Sequence, residues 1–145
     1  MAASGYWYGL AMKAAINKEW DWDSDTIRCG LATSDYSVNQ DTDDYWNDVS
    51  GNEVSGTGYT AGGASMASVG ASYDGGTNIL KLDAADVTWA TSTISARYAV
   101  VYCDTGTAST SALICYQDFG ATEESSAGNF TIQWNANGIA KITVS

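Results

Sequence analysis

The chain contains no histidine and no proline, has only six lysines and arginines, and carries no long apolar run. Without histidine it lacks the side chain that ordinarily titrates near neutral pH, which excludes Ser–His and Cys–His dyads and imidazole metal sites. The motifs GxSxG and SxxK are missing as well. Seventeen acids against the six bases give a net charge of −11. Nucleic-acid affinity rests on Lys and Arg displacing counterions from phosphates, so no direct binding of DNA or RNA is expected. The longest apolar stretch, YAVVYC at 98–103, falls far short of the roughly 20 residues that cross a bilayer, and no membrane partner is expected. The opening MAASGYWYGL has no basic segment ahead of its apolar residues, so no cleaved signal peptide is expected. The missing proline says nothing about function.

Cysteine is scarce and odd in number. Cys29, Cys103 and Cys115 show no CxxC spacing, which argues against a zinc site and reads as three reduced, buried, small hydrophobes. A Cys103–Cys115 bridge across a hairpin is the alternative.

The 145 residues correspond to one domain, 1–145, large enough to bury about two-thirds of the surface of its unfolded chain. Ten of the acids, from Glu19 to Glu53, crowd a stretch whose only base is Arg28, so one flank should be strongly anionic. In YGLAMKAAINKEW the pairs Leu10/Ala14 and Ala11/Ala15 predict a short amphipathic helix over about 8–19. Alternation of Ile27, Cys29 and Leu31 predicts a strand with one face inward. DTDDYWNDV reads as a helical turn capped by Asp41 or Thr42. From residue 65 onward the pattern is β: SMASVGASY, ILKLD, DVTWA, TISARYAVVYC, SALICYQDF and FTIQW, each bounded by turn residues. The fold class is therefore mainly β, an antiparallel sandwich or barrel-like domain with one short N-terminal helix. At the C-terminus, a three-residue loop Ala136–Gly138 would pair Trp134 with Ala140, Ile132 with Ile142 and Phe130 with Val144.

EVSGTGYTAGG, residues 53–63, holds Gly56, Gly58, Gly62 and Gly63. No lysine or helix follows to make it a phosphate cradle, so it reads as a connection whose backbone needs positive φ. DWDSD places Asp21, Asp23 and Asp25 at positions 1, 3 and 5 of a calcium loop, but Thr26 stands where glycine belongs and Ala32 where glutamate belongs. An EF-hand is excluded; a non-EF calcium site shared with DTDD stays open. A glycosidase would need two carboxylates across a sugar cleft, which sequence alone does not place. Six tryptophans and nine tyrosines raise a sugar-binding reading. Trp89 and Trp134 lie in strand patterns suited to a core, while Trp20, Trp22 and Trp46 lie in the acidic region, where exposure would mark a protein interface.

The stretches DWDSDTIRCGLATSDY, EVSGTGYTAGGASM, LDAADVTWATSTISARYAVVYCDTG and FTIQWNANGI together resemble a family of small accessory virion proteins of tailed bacteriophages. The likeness lies in word order and spacing over most of the chain and carries no catalytic signature. It implies a non-enzymatic structural protein without a cofactor, resident in the virion after assembly in the host cytoplasm. The first reading is a capsid decoration (cement) protein on the outer surface of the head; the alternative is a tail-associated structural or glycan-binding module. Its partners would be the major capsid protein or other virion subunits, with a homo-oligomer expected. On this reading Trp20, Trp22, Trp46, Gly56, Gly58, Tyr59, Gly62 and Gly63 are interface candidates, residues 51–64 forming an arm that adapts to a neighbouring subunit.

Overall fold

The computed structural model describes residues 2–3 and 5–145. In chain order the elements are β1 (Ala2–Ala3), β2 (Tyr6–Trp7), α1 (Ala11–Ile16), β3 (Ile27–Ala32), α2 (Asn47–Ser50), β4 (Ala64–Ser65), β5 (Gly70–Asp74), β6 (Ile79–Asp83), β7 (Val87–Cys103), β8 (Leu113–Trp134) and β9 (Ala140–Thr143), with a 3₁₀ turn at Ala108–Thr110. The main sheet runs β1-β8-β7-β3-β4, and β2 also pairs with β8; a second sheet runs β5-β6-β9. All pairings are antiparallel except β1 with β8. The chain is mainly β and sandwich-like, and its sheets do not close into a barrel.

Two strands dominate. DVTWA and TISARYAVVYC form the single strand β7, and SALICYQDF and FTIQW the single strand β8. They pair from Val87 opposite Ile132 to Tyr102 opposite Leu113, with register shifts that absorb extra residues. Thr91 (φ +51°) and Ala127 (φ +47°) sit at these irregularities in the left-handed region, as does Gly120, so bulges bend what would otherwise be a flat ribbon. The burial pattern changes along β7. Inward and outward residues alternate around Val87 and Trp89, whereas Ala99 to Cys103 are buried without interruption, which explains the apolar run of the sequence. Beyond Ala99 the sheet is covered on both faces.

On one face Ile27, Cys29, Leu31, Val101, Ile114 and Trp134 share a core with Leu82, Ile139 and Ala140 from the second sheet and its flank. On the other, Tyr8, Ala11, Tyr36, Trp46 and Val49 cover Ala32, Val100, Tyr102 and Leu113. β3 is therefore buried on both faces, not one. Gly30 makes the second packing possible: a Cβ there would stand 2.2 Å from the Trp46 ring, and with the glycine bare that indole lies flat on Tyr102, centroids 4.2 Å apart and 12° from parallel.

Three local expectations are corrected. The helix over 8–19 is limited to Ala11–Ile16, because the Tyr8 and Gly9 amides donate instead to Ile114 and Gln40, and Lys18 turns left-handed at φ +62°. The turn capped by Asp41 or Thr42 is replaced by Asn47–Ser50 with Trp46 at the N-cap position. Residues 44–46 are held out of a helix by main-chain bonds from Trp46 to Ser111 and from Leu113 to Asp44. The C-terminal hairpin does not form. β9 pairs with β6, Lys81 opposite Lys141 and Leu82 opposite Ala140, while the Trp134 indole donates to the Ala85 carbonyl. Gly138 does adopt positive φ, +103°, but the turn it ends sends the chain to the second sheet, where Ala140 joins the core.

Trp46 (6% exposed) and Trp134 (7%) are equally buried. Trp46→Ala and Trp134→Ala are each expected to cost about 3–5 kcal/mol. Urea unfolding followed by circular dichroism measures both; a loss for Trp46→Ala under about 1 kcal/mol would contradict its place in the core.

Candidate binding surface

The glycine-rich loop finds its use against the chain itself. β3 pairs with β7 only from Tyr98 to Cys103, which leaves the edge of β7 before Tyr98 open to pairing with another strand. The loop takes that place: Thr57 bridges to Thr93 and accepts its amide hydrogen at 2.9 Å. A Cβ on Gly56 would lie 2.3 Å from the Thr93 carbonyl oxygen, on Gly58 2.8 Å from Ser92 Cα, and on Gly63 2.0 Å from the Cys29 carbonyl oxygen. Side chains then pin the loop's end. Glu53 accepts from the Gly62 amide at 2.6 Å and from the Tyr59 hydroxyl at 2.7 Å, and the Tyr59 oxygen in turn accepts from the Leu31 amide. Arg28 donates to the carbonyls of Gly62 and Gly63, and Tyr102 also donates to that of Gly62. The expected arm over 51–64 is corrected to a clamped cover, since Gly56, Gly58 and Gly63 let backbone lie against backbone.

The aromatic candidates are corrected in the same direction. Trp22 and Trp46 are buried, the former donating to the Gly70 carbonyl at 2.9 Å. Trp20 and Tyr59 are half-buried, and Trp20 donates to the Ala11 carbonyl. An indole that packs its ring and satisfies its N–H internally has little left for a partner. Two of the three acids of DWDSD are acceptors: Asp21 takes the Asp23 amide, and Asp25 takes the Asp21 amide and the Cys103 thiol. Among the described residues no group of three or more metal-binding side chains converges. The three cysteines are buried and free. Val101, not Cys103, stands opposite Cys115, so the register that a bridge would need is absent.

What the structure assembles instead is a tyrosine patch. Tyr6 and Tyr8, two apart on or beside β2, both pack on Tyr116 of β8, with centroids at 5.6 and 5.0 Å. Tyr8 and Tyr36 share a hydroxyl hydrogen bond of 3.0 Å, and Tyr36 donates to Asp43 at 2.7 Å. Tyr36 meets Tyr98 edge-on at 5.6 Å, the Arg97 guanidinium lies 5.6 Å above the Tyr98 ring, and Arg97 grips Asp118 through two nitrogens. The Arg97 hydrogen bond holds the Asp118 carboxyl below the usual range. Five tyrosines and one ion pair thus run from the buried Tyr8 and Tyr36 out to Tyr6, which is 56% exposed. Tyr98 and Tyr116 are half-buried between these and the exposed Tyr6. The spacing of Tyr6 and Tyr8 by two is plain in the sequence, but only the pairing of Tyr6 with Tyr116 and of Tyr98 with Asp118 brings the rings together.

Comparison of the chain with protein-family models, with curated proteins and with solved structures finds no match.

Two predictions follow from this surface. Gly63→Ala places a side chain at φ +74° against backbone and is expected to destabilise by at least about 2 kcal/mol, whereas Gly51→Ala, with open space at its Cβ, should stay within about 0.5 kcal/mol. The pinned loop should also resist protease between 51 and 64 in the isolated protein; thermal melts and limited proteolysis check the two halves. The second concerns alkali. Burial raises the phenols of Tyr8 and Tyr59 and the thiols of Cys29 and Cys115, Cys115 to about 12. Groups raised in the folded state stabilise it fully below their unfolded values, about 8.5 for thiol and 10 for phenol, and that stability falls as pH climbs from there toward the folded values. Unfolding free energy should therefore be lower at pH 10.5 than at pH 7.5; equal values would show these groups to be accessible.

Proposed function

We propose that the protein is a non-enzymatic structural subunit of a tailed-phage particle, acting as a decoration protein on the outer surface of the head. The observation that carries this reading is the tyrosine patch on the main sheet. Tyrosine offers large contact area at low cost in side-chain entropy, with a hydroxyl for the rim, and is enriched where proteins meet. The patch is held rigid from beneath by Tyr8, Tyr36 and Asp43, so little ordering is left to be lost on binding. The absence of histidine and the engagement of Asp21 and Asp25 in a turn agree with a binding role, and the sequence resemblance supplies the setting. The partner is the major capsid protein or another virion subunit, with the chain assembling as a homo-oligomer. The acidic stretch 19–53 lies partly in the layer that covers the other core, and its charge would favour a basic region of the partner.

The alternative, a glycan-binding module on the tail, draws on the same patch, since sugar rings stack on aromatic faces and the Arg97–Asp118 pair could take hydroxyl groups. Gold-labelled antibody against the protein, viewed on purified particles by electron microscopy, separates the two: label on the head supports decoration, label on the tail supports the alternative, and unlabelled particles remove both. Tyr6→Ser is expected to weaken particle association at least tenfold with a melting temperature within a few degrees of wild type, as befits an exposed side chain. Unchanged association would show that the patch is not the contact.

A further inference from the structure

The second sheet turns one face to the core and the other to solvent, and the solvent face holds a feature that costs stability. Strand alternation sends Leu82 and Ala140 inward to the core, so the residues in the next row point out: Ser72, Lys81 and Lys141, directly opposite one another across β5, β6 and β9. Lys81 and Lys141 are thus two like charges on facing positions of adjacent strands, with Cβ atoms about 5 Å apart, an arrangement that is destabilising in itself. In a chain with seventeen acids and six bases the two lysines still take no ion-pair partner among the described residues. The ion pairs among the described residues join Arg28 to Asp104 and Arg97 to Asp118, and neither lysine ammonium donates a hydrogen bond there. Two carboxylates share this face: Asp83, two residues along β6 from Lys81 and beside it on the surface, and Asp74, which accepts the Gly76 amide at 2.8 Å, a bond that, helped by Thr77, holds its carboxyl below the usual range.

The two lysines do not stand on a flat surface. With Ser72, Asp74, Thr77, Ile79 and Asn137 they line an open groove of about 350 Å³. One wall is set by the turn at Gly138, whose backbone packs so close to Lys81 that a Cβ on Gly138 would meet the Lys81 Cβ at 3.0 Å. The Lys141 carbonyl is fixed from behind by the Trp7 indole at 3.0 Å. Two ammonium groups on long stems that can converge, together with the Ser72 hydroxyl and the Asn137 carboxamide as neutral donors, form a donor set for a doubly charged oxyanion. A single carboxylate would leave one of the lysine charges unanswered. The groove is also far roomier than an inorganic oxyanion needs, and Ile79 offers an apolar strip beside the charges.

We propose that this groove binds a phosphate group, carried as the monoester of a small polar molecule, with Lys81 and Lys141 sharing its charge and Ser72 and Asn137 donating to its oxygens. The site lies on the second sheet, apart from the tyrosine patch of the main sheet, and stands or falls without it. Two facing lysines left without an ion-pair partner beside a groove suit a site kept for a ligand at the expense of stability.

The test uses the full ¹⁵N-labelled chain, titrated with inorganic phosphate and separately with glucose 6-phosphate, at an ionic strength held constant with sodium chloride. Saturable amide shifts are expected at Ser72, Thr77, Lys81, Asn137 and Lys141, with affinity at least tenfold weaker in Lys81→Gln and in Lys141→Gln. Both lysines lie on a solvent-facing row, so both variants are expected to keep the wild-type spectrum elsewhere and to melt no lower than wild type without ligand. Tighter binding of the ester assigns the group to an esterified ligand, and equal binding assigns it to free phosphate. Absence of saturable shifts with either probe, shifts that map outside the groove, or affinities unchanged in both variants would overturn the proposal.

Discussion

The contact on which the molecule turns is the Trp46 indole lying over the bare backbone of Gly30 and flat against Tyr102. The main sheet is apolar on both faces where β3, β7 and β8 run side by side, and a sheet of that kind must be covered twice. One cover is a second sheet. The other has to come from a short helix and a segment dense in aspartate, neither of which has much apolar surface to offer. A large aromatic from that segment, received where a strand lacks a side chain, solves the problem, and Tyr8, Tyr36 and Val49 fill in around it. Most of the segment's carboxylates lie exposed, while Asp43 and Glu53 turn inward to accept from Tyr36 and Tyr59, which is how a strongly acidic run can help to cover a sheet.

The same economy of backbone explains the glycine-rich loop. β7 is much longer than its neighbour β3, and the difference would leave an open edge. Glycines at 56 and 58 let the loop press its main chain against that edge and Gly63 lets it press on Cys29 of β3, while Glu53 and Arg28 fasten its far end. Edge protection of this kind is a common requirement of β proteins. It is also the reason why a stretch that looks mobile by composition is one of the more firmly held parts of the surface.

A fold so arranged has two surfaces that its own packing does not consume. One is the tyrosine patch, where rings stack from the core outward and end on the exposed Tyr6. The other is the lysine row of the second sheet. They differ in chemistry, the first suited to another macromolecule and the second to a small anion, and they rest on different sheets.

Much of this was legible from the residues. Strand periodicity identified a mainly β chain with one helix near its start; the odd, scattered cysteines read as free and buried; and the glycines of 53–63 read as positions needing positive φ, which four of them adopt. These features are local, set by side-chain alternation and by what a Cβ permits. The partners of each element were not legible. Val144 was matched to Phe130 by a register that works on paper, but β9 crosses to β6 because Ala140 and Ile139 have an apolar core to join there. Trp22 and Trp46 looked exposed because their neighbours in sequence are acids, and are buried because their neighbours in space are Gly70 and Tyr102. Nothing in the spacing of Tyr6, Tyr98 and Tyr116, or of Lys81 and Lys141, shows that they meet. Sequence by itself determined the class of fold, the sign of the charge and the chemistries that are excluded, since those follow from composition and period. Tertiary structure alone decided which faces are covered and which side chains gather into sites, because strand pairing brings together residues whose separation along the chain carries no trace of it.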